Sequence, residues 1–325
     1  MPANLTPEYL AAERKWKEAA TPQDKLAALE EMLATIPKHK GTEKMQADIK
    51  RRIAKTRNEL QQRRKGAARQ KPFYHVEKEG AGQVVLVGPP NSGKSSVLRA
   101  LSRAEPEVAD YPFTTRVPLP GMVTFENVQI QLVDLPPLSL EMSEGWLYGI
   151  IRTADAVLLV VDVADDDVLE QTQTVLQMLQ EARVPLRPPA AVPAPGKPAM
   201  VVGLKVDAPG ARERLALLQE AIGGALPLLA ASTVTGENLE ELRRRLFDLL
   251  EVIRVYSKPP GRKADRSAPF VLKRGSTVLD AAEAIHKDFV QRLRFARLWG
   301  RNGYSGQMVG RDHVLEDEDV VELHT

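Results

Sequence analysis

The chain has 325 residues, of which 43% are hydrophobic and 27% are charged, and its formal net charge is +2. This length and composition predict a globular protein of two or three domains. The absence of cysteine excludes disulfides and thiolate metal sites. The longest apolar run, near residues 156–161, is too short for a membrane span, and the first residues lack the pattern of a signal peptide. We therefore expect a cytoplasmic protein without a membrane partner.

Residues 1–75 are predicted to form a helical N-terminal region. Pro22 lies in the first turn of a helix whose apolar residues recur at helical spacing until Pro37. A second helix is predicted from Thr42 towards Arg64. We treat this region as a first domain, ahead of the apolar strands that follow.

The second of these helices is strongly basic. Between residues 38 and 71 the chain carries thirteen Lys or Arg and only three acidic residues. Only Asp48 and Glu59 stand at i,i+4 spacing from these cations, so most of them lack the usual acidic partner. Such a surplus is typical either of a solvated helical face or of a surface that contacts the phosphates of a nucleic acid. We favour the second interpretation and expect RNA contact without base-specific readout.

Residues 88–96 have the sequence of a phosphate-binding loop, G-x-x-x-x-G-K-[S/T]. The motif follows an apolar strand, Gln83–Val87, and precedes a predicted helix, Lys94–Arg103. In such loops the backbone N–H groups surround phosphate, the Lys reaches the β- and γ-phosphates and the hydroxyl binds Mg²⁺. The candidate nucleotide-binding residues are Gly88, Pro89, Pro90, Asn91, Ser92, Gly93, Lys94, Ser95 and Ser96. The alternative is a chance glycine turn, but spacing and context agree, so we expect the chain to bind a nucleoside triphosphate.

Residues 80–253 alternate apolar strands with amphipathic helices. This pattern predicts an α/β domain with a mostly parallel sheet and helices on both faces. Further predicted strands are Gln129–Val133, Ala156–Val161, Ala199–Gly203 and Leu226–Ala230. Further predicted helices are Val168–Ala182, Ala211–Ile222 and Leu239–Ile253. The Pro- and Ala-rich segment 185–198 is predicted to be a surface loop.

Phosphoryl transfer also requires a metal ligand on a mobile loop and an acid behind the metal. Asp134 follows a predicted strand and suits the acid, which would hold Mg²⁺ through water. Thr114 and Thr115 suit the mobile loop, with Thr115 as the Mg²⁺ ligand beside Ser95. In a purely structural interpretation, Asp134 is a turn residue at a strand end and the two Thr belong to an edge strand.

Residues 254–325 are predicted to form a small α+β domain. The predicted strands are Val255–Tyr256, Phe270–Leu272 and Val320–Leu323, and a helix is predicted over Thr277–Phe289. No catalytic cluster is evident in this part of the sequence.

Several segments match motifs of one known family. They are the phosphate loop with Asn91, the segment Ala109–Thr115, the triplet Asp134–Pro136 and the early segment Ile36–Lys44. With these motifs the chain resembles the Obg-related GTPases, nearest their developmentally regulated GTP-binding (Drg) branch. The C-terminal part is similar to a TGS domain, a β-grasp module, through Arg254–Lys258, Gly275–Val278, Ile285–Asp288, Trp299–Gly300 and Val309–Asp319.

The resemblance implies a P-loop GTPase fold and a function. The protein would bind GTP or GDP with Mg²⁺, hydrolyse GTP weakly with help from K⁺, and act as a switch on ribosomes or other RNA assemblies. The basic N-terminal helix and the TGS domain would contact the RNA or ribosome, and a protein cofactor is a further expected partner. Between Asp134 and Asp207 the chain lacks the small domain that Drg relatives insert there.

The resemblance also assigns roles to residues of the site. The candidate catalytic residues are Asn91, Lys94 and Thr115. Asn91 would hold K⁺ beside the phosphates, where the ion adds positive charge to the transition state. Leu138 stands where other GTPases have Gln, so water placement would fall to the backbone and the metals.

The family's base-specificity motif, Asn-Lys-x-Asp, reads Leu-Lys-Val-Asp here, beginning at Leu204. Asp207 can accept hydrogen bonds from guanine and Lys205 can lie along the base, but Leu204 cannot make the polar contacts of Asn. Ser232 and Thr233 occupy the next base-contact loop. One lost buried partner costs about 1 kcal/mol. We therefore expect weaker guanine binding and reduced discrimination.

The family pattern Asp-x-Pro-Gly reads Asp134-Leu-Pro-Pro137 here. The glycine of relatives donates its N–H to the γ-phosphate, whereas Pro137 has no N–H and a fixed φ. Hydrolysis is thus expected to be slow or abolished. The alternative function is a non-catalytic nucleotide-binding module that contacts RNA or the ribosome, and an ATPase is disfavoured by Asp207.

Overall fold

The computed structural model describes residues 6–19, 22–37, 42–67, 74–102, 117–141, 143–190, 194–300 and 303–325. The chain divides into two compact units, Met1–Phe73 and Tyr74–Thr325. Within the described residues the first unit consists of helices α1 (Pro7–Glu18), α2 (Pro22–Thr35) and α3 (Glu43–Ala67). The helical character predicted for this region is confirmed, and the two predicted helices correspond to α2 and α3.

The helices of the first unit pack around a small apolar core. Thr6 caps α1, since its Oγ accepts a hydrogen bond of 3.2 Å from the backbone N–H of Tyr9. Buried residues come from every helix, namely Tyr9, Ala12, Leu29, Met32, Ile36, Ile49 and Ile53. The buried residues of α2 and of α3 recur at helical spacing, as the sequence pattern predicts.

The second unit begins with an α/β part. Its elements, in chain order, are β1 (Gln83–Val87), α4 (Lys94–Leu101), β2 (Leu119–Phe125), β3 (Val128–Asp134), α5 (Gly145–Thr153), β4 (Ala156–Asp162), α6 (Val168–Glu181), β5 (Leu186–Arg187), β6 (Lys197–Leu204), α7 (Ala211–Ile222), β7 (Leu228–Ala231) and α8 (Leu239–Leu249). The strand order is β2-β3-β1-β4-β6, and β5 and β7 both pair with β6. Only β2 and β3 pair antiparallel among these described strands, so the predicted mostly parallel sheet is confirmed.

Each face of this sheet is covered by helices. In β1, Val85 and Val87 point to one core and Val84 and Leu86 point to the other. The first core includes apolar residues of α5, α6 and α7, and the second includes those of α4 and α8. Strands buried on both faces have the continuous apolar sequence that β1 and β4 show. Because the strands other than β2 are parallel, their carboxyl ends lie at the same edge of the sheet, and the candidate nucleotide-binding site lies at that edge.

The rest of the second unit is a β-grasp domain. Its elements are β8 (Val252–Ser257), β9 (Phe270–Lys273), α9 (Val278–Ile285), α10 (Lys287–Arg292), β10 (Phe295–Trp299), β11 (Ser305–Val309) and β12 (Asp319–His324). The strand order is β11-β10-β12-β8-β9, with β12 parallel to β8. A capping box between Thr277 and Asp280 starts α9, which packs on the sheet.

Several boundaries differ from the sequence predictions. The helix predicted to reach Ile253 ends at Leu249, because Glu251 has φ +54° and Ile253 lies in β8, opposite Leu272. The helix predicted over Thr277–Phe289 breaks at His286, whose backbone is extended. Strands β2, β10 and β11 and helix α5 were not predicted. The predicted loop 185–198 contains the short strand β5 and the start of β6. None of the described helices combines the length and apolar character required to cross a bilayer.

Candidate nucleotide-binding site

The phosphate loop leaves β1 and enters α4. A Cβ on Gly88 would lie 2.1 Å from the carbonyl oxygen of Val160 in β4, so glycine is required there. Gly93 caps α4 with φ +94°, a conformation that glycine adopts without strain. Asn91 also has a left-handed backbone, with φ +58°, and its side chain is exposed. The loop thus encloses the N-terminus of α4, whose free N–H groups favour anions.

Lys94 is buried inside this loop, with 7% of its surface exposed. Its ammonium donates to the carbonyl oxygens of Gly88 at 3.1 Å and Pro89 at 2.8 Å, and to Ser92 Oγ at 3.3 Å. Burial lowers the pKa of Lys94 to about 8, opposed by the nearby carboxylate of Asp134. A phosphate would be a stronger partner for this buried cation than neutral carbonyls, because it carries opposite charge.

Ser95 and Asp134 lie side by side beneath the loop. Asp134 ends β3 beside Leu86 of β1, and its Oδ2 accepts a hydrogen bond of 2.5 Å from Ser95 Oγ. Its Oδ1 is buried without a hydrogen-bond partner among the described residues. Burial raises the pKa of Asp134, and the hydrogen bond from Ser95 opposes that shift. A hydroxyl and an unsatisfied carboxylate oxygen fit a hard divalent cation such as Mg²⁺.

The segment after Asp134 turns back onto the phosphate loop. The backbone N–H of Leu138 donates to the carbonyl oxygen of Gly88 at 3.1 Å, and that of Ser139 donates to Ser143 Oγ at 3.1 Å. The side chain of Leu138 is buried in the core that contains α5, rather than presented to the phosphate loop. Since prolines have no N–H, no residue from 136 to 139 offers an unpaired backbone donor.

The predicted base-contact loops leave the sheet next to each other. Leu204, at the end of β6, pairs with Ala231, at the end of β7, so the segments 205–207 and 232–233 begin at the same level. Asp207 is exposed, as base recognition from a groove requires. Ser232 is fully buried and its Oγ accepts hydrogen bonds of 3.1 Å from two backbone N–H groups of its own loop.

The remaining predicted residues either lie outside the described part of the chain or, in the case of Lys205, form an ion pair with another side chain. Thr114 and Thr115 fall outside the described residues, as does the whole of the 109–115 motif. Lys205 has φ +63° and its ammonium is paired with the carboxylate of Asp162. Sequence reasoning missed Asp162, although its place at the carboxyl end of an apolar strand gave the same signal as Asp134.

Comparison with known proteins agrees with this geometry. Residues 83–190 match the family described as 50S ribosome-binding GTPase, and residues 253–325 match the TGS domain. An uncharacterised GTP-binding protein of Methanocaldococcus jannaschii is 29% identical over 362 aligned residues, covering 93% of this chain and 92% of the relative. Developmentally-regulated GTP-binding protein 1 of Xenopus laevis is 28% identical over 363 residues, covering 92% and 98%. The chain belongs to the Drg-like branch of the GTP-binding proteins.

As a member of the Drg family, the chain is a GTP-binding P-loop protein of the GTP hydrolase class, with a C-terminal TGS domain. The alignments are longer than the 325 residues of the chain, so these two relatives carry residues that have no counterpart here. Among solved structures, the G domain of the T. maritima FeoB iron transporter is 30% identical, covering 52% of this chain and 98% of that chain with a TM-score of 0.39.

Proposed function

We propose that this Drg-like protein is a slow, K⁺-assisted GTPase that acts as a switch on ribosomes or another RNA assembly. The observation that carries the nucleotide assignment is the trio behind the phosphate loop, formed by the buried Lys94 and Asp134 and the half-buried Ser95. A cation for phosphate, a hydroxyl for metal and an acid behind the metal are the groups that phosphoryl transfer needs.

In this proposal each residue of the trio has a separate task. Lys94 binds the β- and γ-phosphates, while Ser95 and Asp134 hold Mg²⁺, Asp134 through water. Mg²⁺ supplies charge neutralisation at the phosphate oxygens when bound. Thr115 is assigned to the same metal by its sequence motif alone. Asn91 is the proposed K⁺ ligand, since it is exposed at the surface of the loop.

Guanine recognition is assigned to Asp207. Support comes from its exposed position beside the loop at Ser232 and Thr233. Lys205 would either release Asp162 when nucleotide binds or keep this ion pair while its aliphatic stem covers the base. In both arrangements Asp207 is the group that recognises guanine. Adenine offers no pair of donors to this carboxylate.

The proposal that hydrolysis is slow rests on the backbone donors of the segment after Asp134. A γ-phosphate sensor needs an N–H in the segment after Asp134, and in this segment the N–H groups of Leu138 and Ser139 have intramolecular partners. Preorganised donors of this kind are worth a hundredfold or more in rate. Without one, turnover depends on the metals and Lys94.

RNA or ribosome contact is assigned to α3 and the TGS domain. Lys44, Arg51 and Lys55 follow one another at i, i+7 and i+11, so they form one exposed stripe along α3. No ion pair joins any of the three to an acidic side chain that the structure describes, a set that leaves out the side chains of residues 58–67. The family description, a ribosome-binding GTPase, and the TGS match support the same partner. A cytoplasmic location and a protein cofactor belong to this proposal.

The second candidate function is a non-catalytic nucleotide-binding module, which the paired N–H groups of Leu138 and Ser139 favour. Single-turnover GTP hydrolysis in KCl and in NaCl separates the two. A slow GTPase gives measurable turnover that is faster in KCl, whereas a module gives none in either salt. Equal rates in the two salts would remove K⁺ from the mechanism.

The K⁺ ligand is tested with Asn91→Gly rather than Asn91→Ala, because Ala is strained at φ +58°. The KCl advantage should disappear in Asn91→Gly and persist in Asn91→Asp, which keeps an oxygen ligand. A KCl advantage retained by Asn91→Gly would place the ion elsewhere.

A further inference from the structure

We infer that Leu204 is a positioning residue for phosphate binding: its side chain supports Gly93 of the phosphate loop, at the position where the family motif has a base-reading Asn. The inference rests on the proposed nucleotide site. It gives residue 204 a role in binding the triphosphate instead of a role in recognising the base. Base recognition then depends on Asp207, separately from phosphate binding.

Leu204 fills the space in front of the Gly93 α-carbon where a side chain would project. A Cβ built on Gly93 would lie 2.7 Å from Leu204 Cδ1, and the next atom within 4 Å of it is Leu204 Cγ at 4.0 Å. Among the described residues, and apart from the chain neighbours of Gly93, Leu204 is thus the residue that occupies the side on which a Cβ of residue 93 would project. The close approach also excludes any side chain at residue 93.

Leu204 is itself firmly held. It ends β6, is 1% exposed, and pairs with Asp162 on one side and Ala231 on the other. It belongs to the apolar core that contains Val97 and Leu98 of α4. The same core therefore fixes both Leu204 and the helix that follows Gly93.

The position of Gly93 determines where the neighbouring residues that bind phosphate and metal in the proposed site lie. Gly93 sets the direction in which α4 starts, and the next two residues are Lys94 and Ser95. Lys94 donates to three acceptors of the loop, and Ser95 donates to Asp134 at 2.5 Å. A shift of Gly93 moves all of these donors, because they lie on the first turn of α4.

An Asn at this position would act differently. Its amide needs hydrogen-bond partners, and an unsatisfied amide in an apolar core is destabilising. The δ-methyl groups of Leu fill space without such partners. The chain has therefore exchanged a polar contact for packing, and truncating Leu204 should leave a cavity that the loop collapses into.

The test separates phosphate binding from base binding with inorganic tripolyphosphate, which has no base. Leu204→Ala is expected to weaken tripolyphosphate, GTP and ATP by a similar factor, about tenfold or more, with the GTP/ATP affinity ratio unchanged. Asp207→Ala is the matched control, and it should weaken GTP alone. Leu204→Met conserves volume and should restore tripolyphosphate binding close to wild type. Calorimetry measures all three ligands in Mg²⁺.

Two outcomes would overturn the inference. One is Leu204→Ala binding tripolyphosphate as the wild type does. The other is a Leu204→Asn variant that raises the GTP/ATP ratio while tripolyphosphate binding stays unchanged, since that assigns the position to the base. If Leu204→Ala does not fold by circular dichroism, Leu204→Val carries the same expectation with a smaller effect. A wild-type protein that binds none of the three ligands would refute the proposed function instead.

Discussion

The backbone N–H of Leu138 donates to the carbonyl oxygen of Gly88 at 3.1 Å, which ties the segment after Asp134 to the first residue of the phosphate loop. Gly88 has little room towards β4, because a Cβ built on it would lie 2.1 Å from the carbonyl oxygen of Val160. The hydrogen bond therefore holds Leu138, and the two prolines before it cannot provide an alternative donor. In the proposed function, this hydrogen bond limits hydrolysis, because it leaves the segment without a donor for the γ-phosphate.

Returning an N–H at residue 137 should accelerate hydrolysis. We expect Pro137→Gly to raise kcat at least about tenfold, a part of the hundredfold or more that one preorganised donor supplies, with a smaller change in GTP affinity. Pro137→Ala returns the N–H without the flexibility of glycine, so it separates the donor from the hinge. Single-turnover rates with saturating GTP measure the effect. Unchanged rates in both variants would mean that this segment does not contact the γ-phosphate.

Nucleotide affinity should depend on pH through Lys94. Its pKa is lowered to about 8 by burial, and a bound phosphate stabilises the charged form and raises that pKa. The nucleotide-bound state therefore holds more protons than the free state above pH 8. Affinity for GTP should fall as the pH rises through about 8, and binding at pH 8.5 should take up protons.

Calorimetry in buffers of different ionisation enthalpy measures this proton uptake. Lys94→Arg keeps its charge throughout this pH range, so it should bind GTP without proton uptake even if binding is weaker. Wild-type binding at pH 8.5 with no dependence on the buffer would show that the phosphates do not contact Lys94.

Much of the fold follows from local sequence patterns. The predicted bounds of β1 and α7 agree with the structure, because one is a continuous apolar run and the other has regular helical spacing. In contrast, β2 contains Pro120 and Gly121, and α5 begins with Gly145. Because Pro and Gly disfavour strands and helices, the local sequence does not predict these two elements. Tertiary pairing with β3 overrides the propensity of β2.

The candidate site was predictable where one motif defines it and unpredictable where distant residues meet. The phosphate loop and Asp134 have local signals, and the structure brings Ser95 and Asp134 within 2.5 Å. The contact of Leu204 with Gly93 and the pairing of Lys205 with Asp162 join residues far apart in the chain. Which way a side chain points at the end of a strand depends on the neighbouring strands, and sequence spacing does not contain that information.

The TGS domain is joined to the α/β part through Arg254 of β8. The side chain of Arg254 is 5% exposed, donates to Asp317 at 2.7 and 3.1 Å, and pairs with Glu126 in the turn between β2 and β3. Its guanidinium also lies over the ring of Phe247, 5.0 Å from the centroid. We expect Arg254→Met to lower the free energy of unfolding by about 3 kcal/mol, the low end for a broken buried pair, because Glu126 is half-exposed.

Urea denaturation of the nucleotide-free protein measures this loss. Arg254→Lys is the matched control, since it keeps the charge but loses the two-point geometry, and it should fall between wild type and Arg254→Met. A Met variant as stable as the wild type would mean that apolar packing on Phe247 offsets the whole electrostatic loss.

The α3 stripe gives the prediction for RNA. Reversing Lys44, Arg51 and Lys55 to Glu should weaken RNA binding about tenfold at low salt and reduce the slope of log K against log salt by about 2 for single-stranded RNA. Arg52 is left intact, because it pairs with Asp48 at 2.9 Å and lies over the ring of Trp16. GTP affinity should not change, because the stripe belongs to a different compact unit from the phosphate loop.

A control of equal charge reverses three exposed cations on the other helices of the same unit, Arg14, Lys17 and Lys25, of which Lys17 pairs with Glu13 at 3.1 Å. It changes the net charge by the same amount, so a general electrostatic effect would weaken RNA binding equally in both triple variants. Specific contact by α3 predicts a loss in the stripe variant alone. Filter binding across a salt series gives the affinity and slope for each protein, and ribosome co-sedimentation extends the comparison to the proposed assembly. If the stripe variant binds RNA as the wild type does at low salt, α3 is a solvated face, and RNA contact must be sought on the TGS domain.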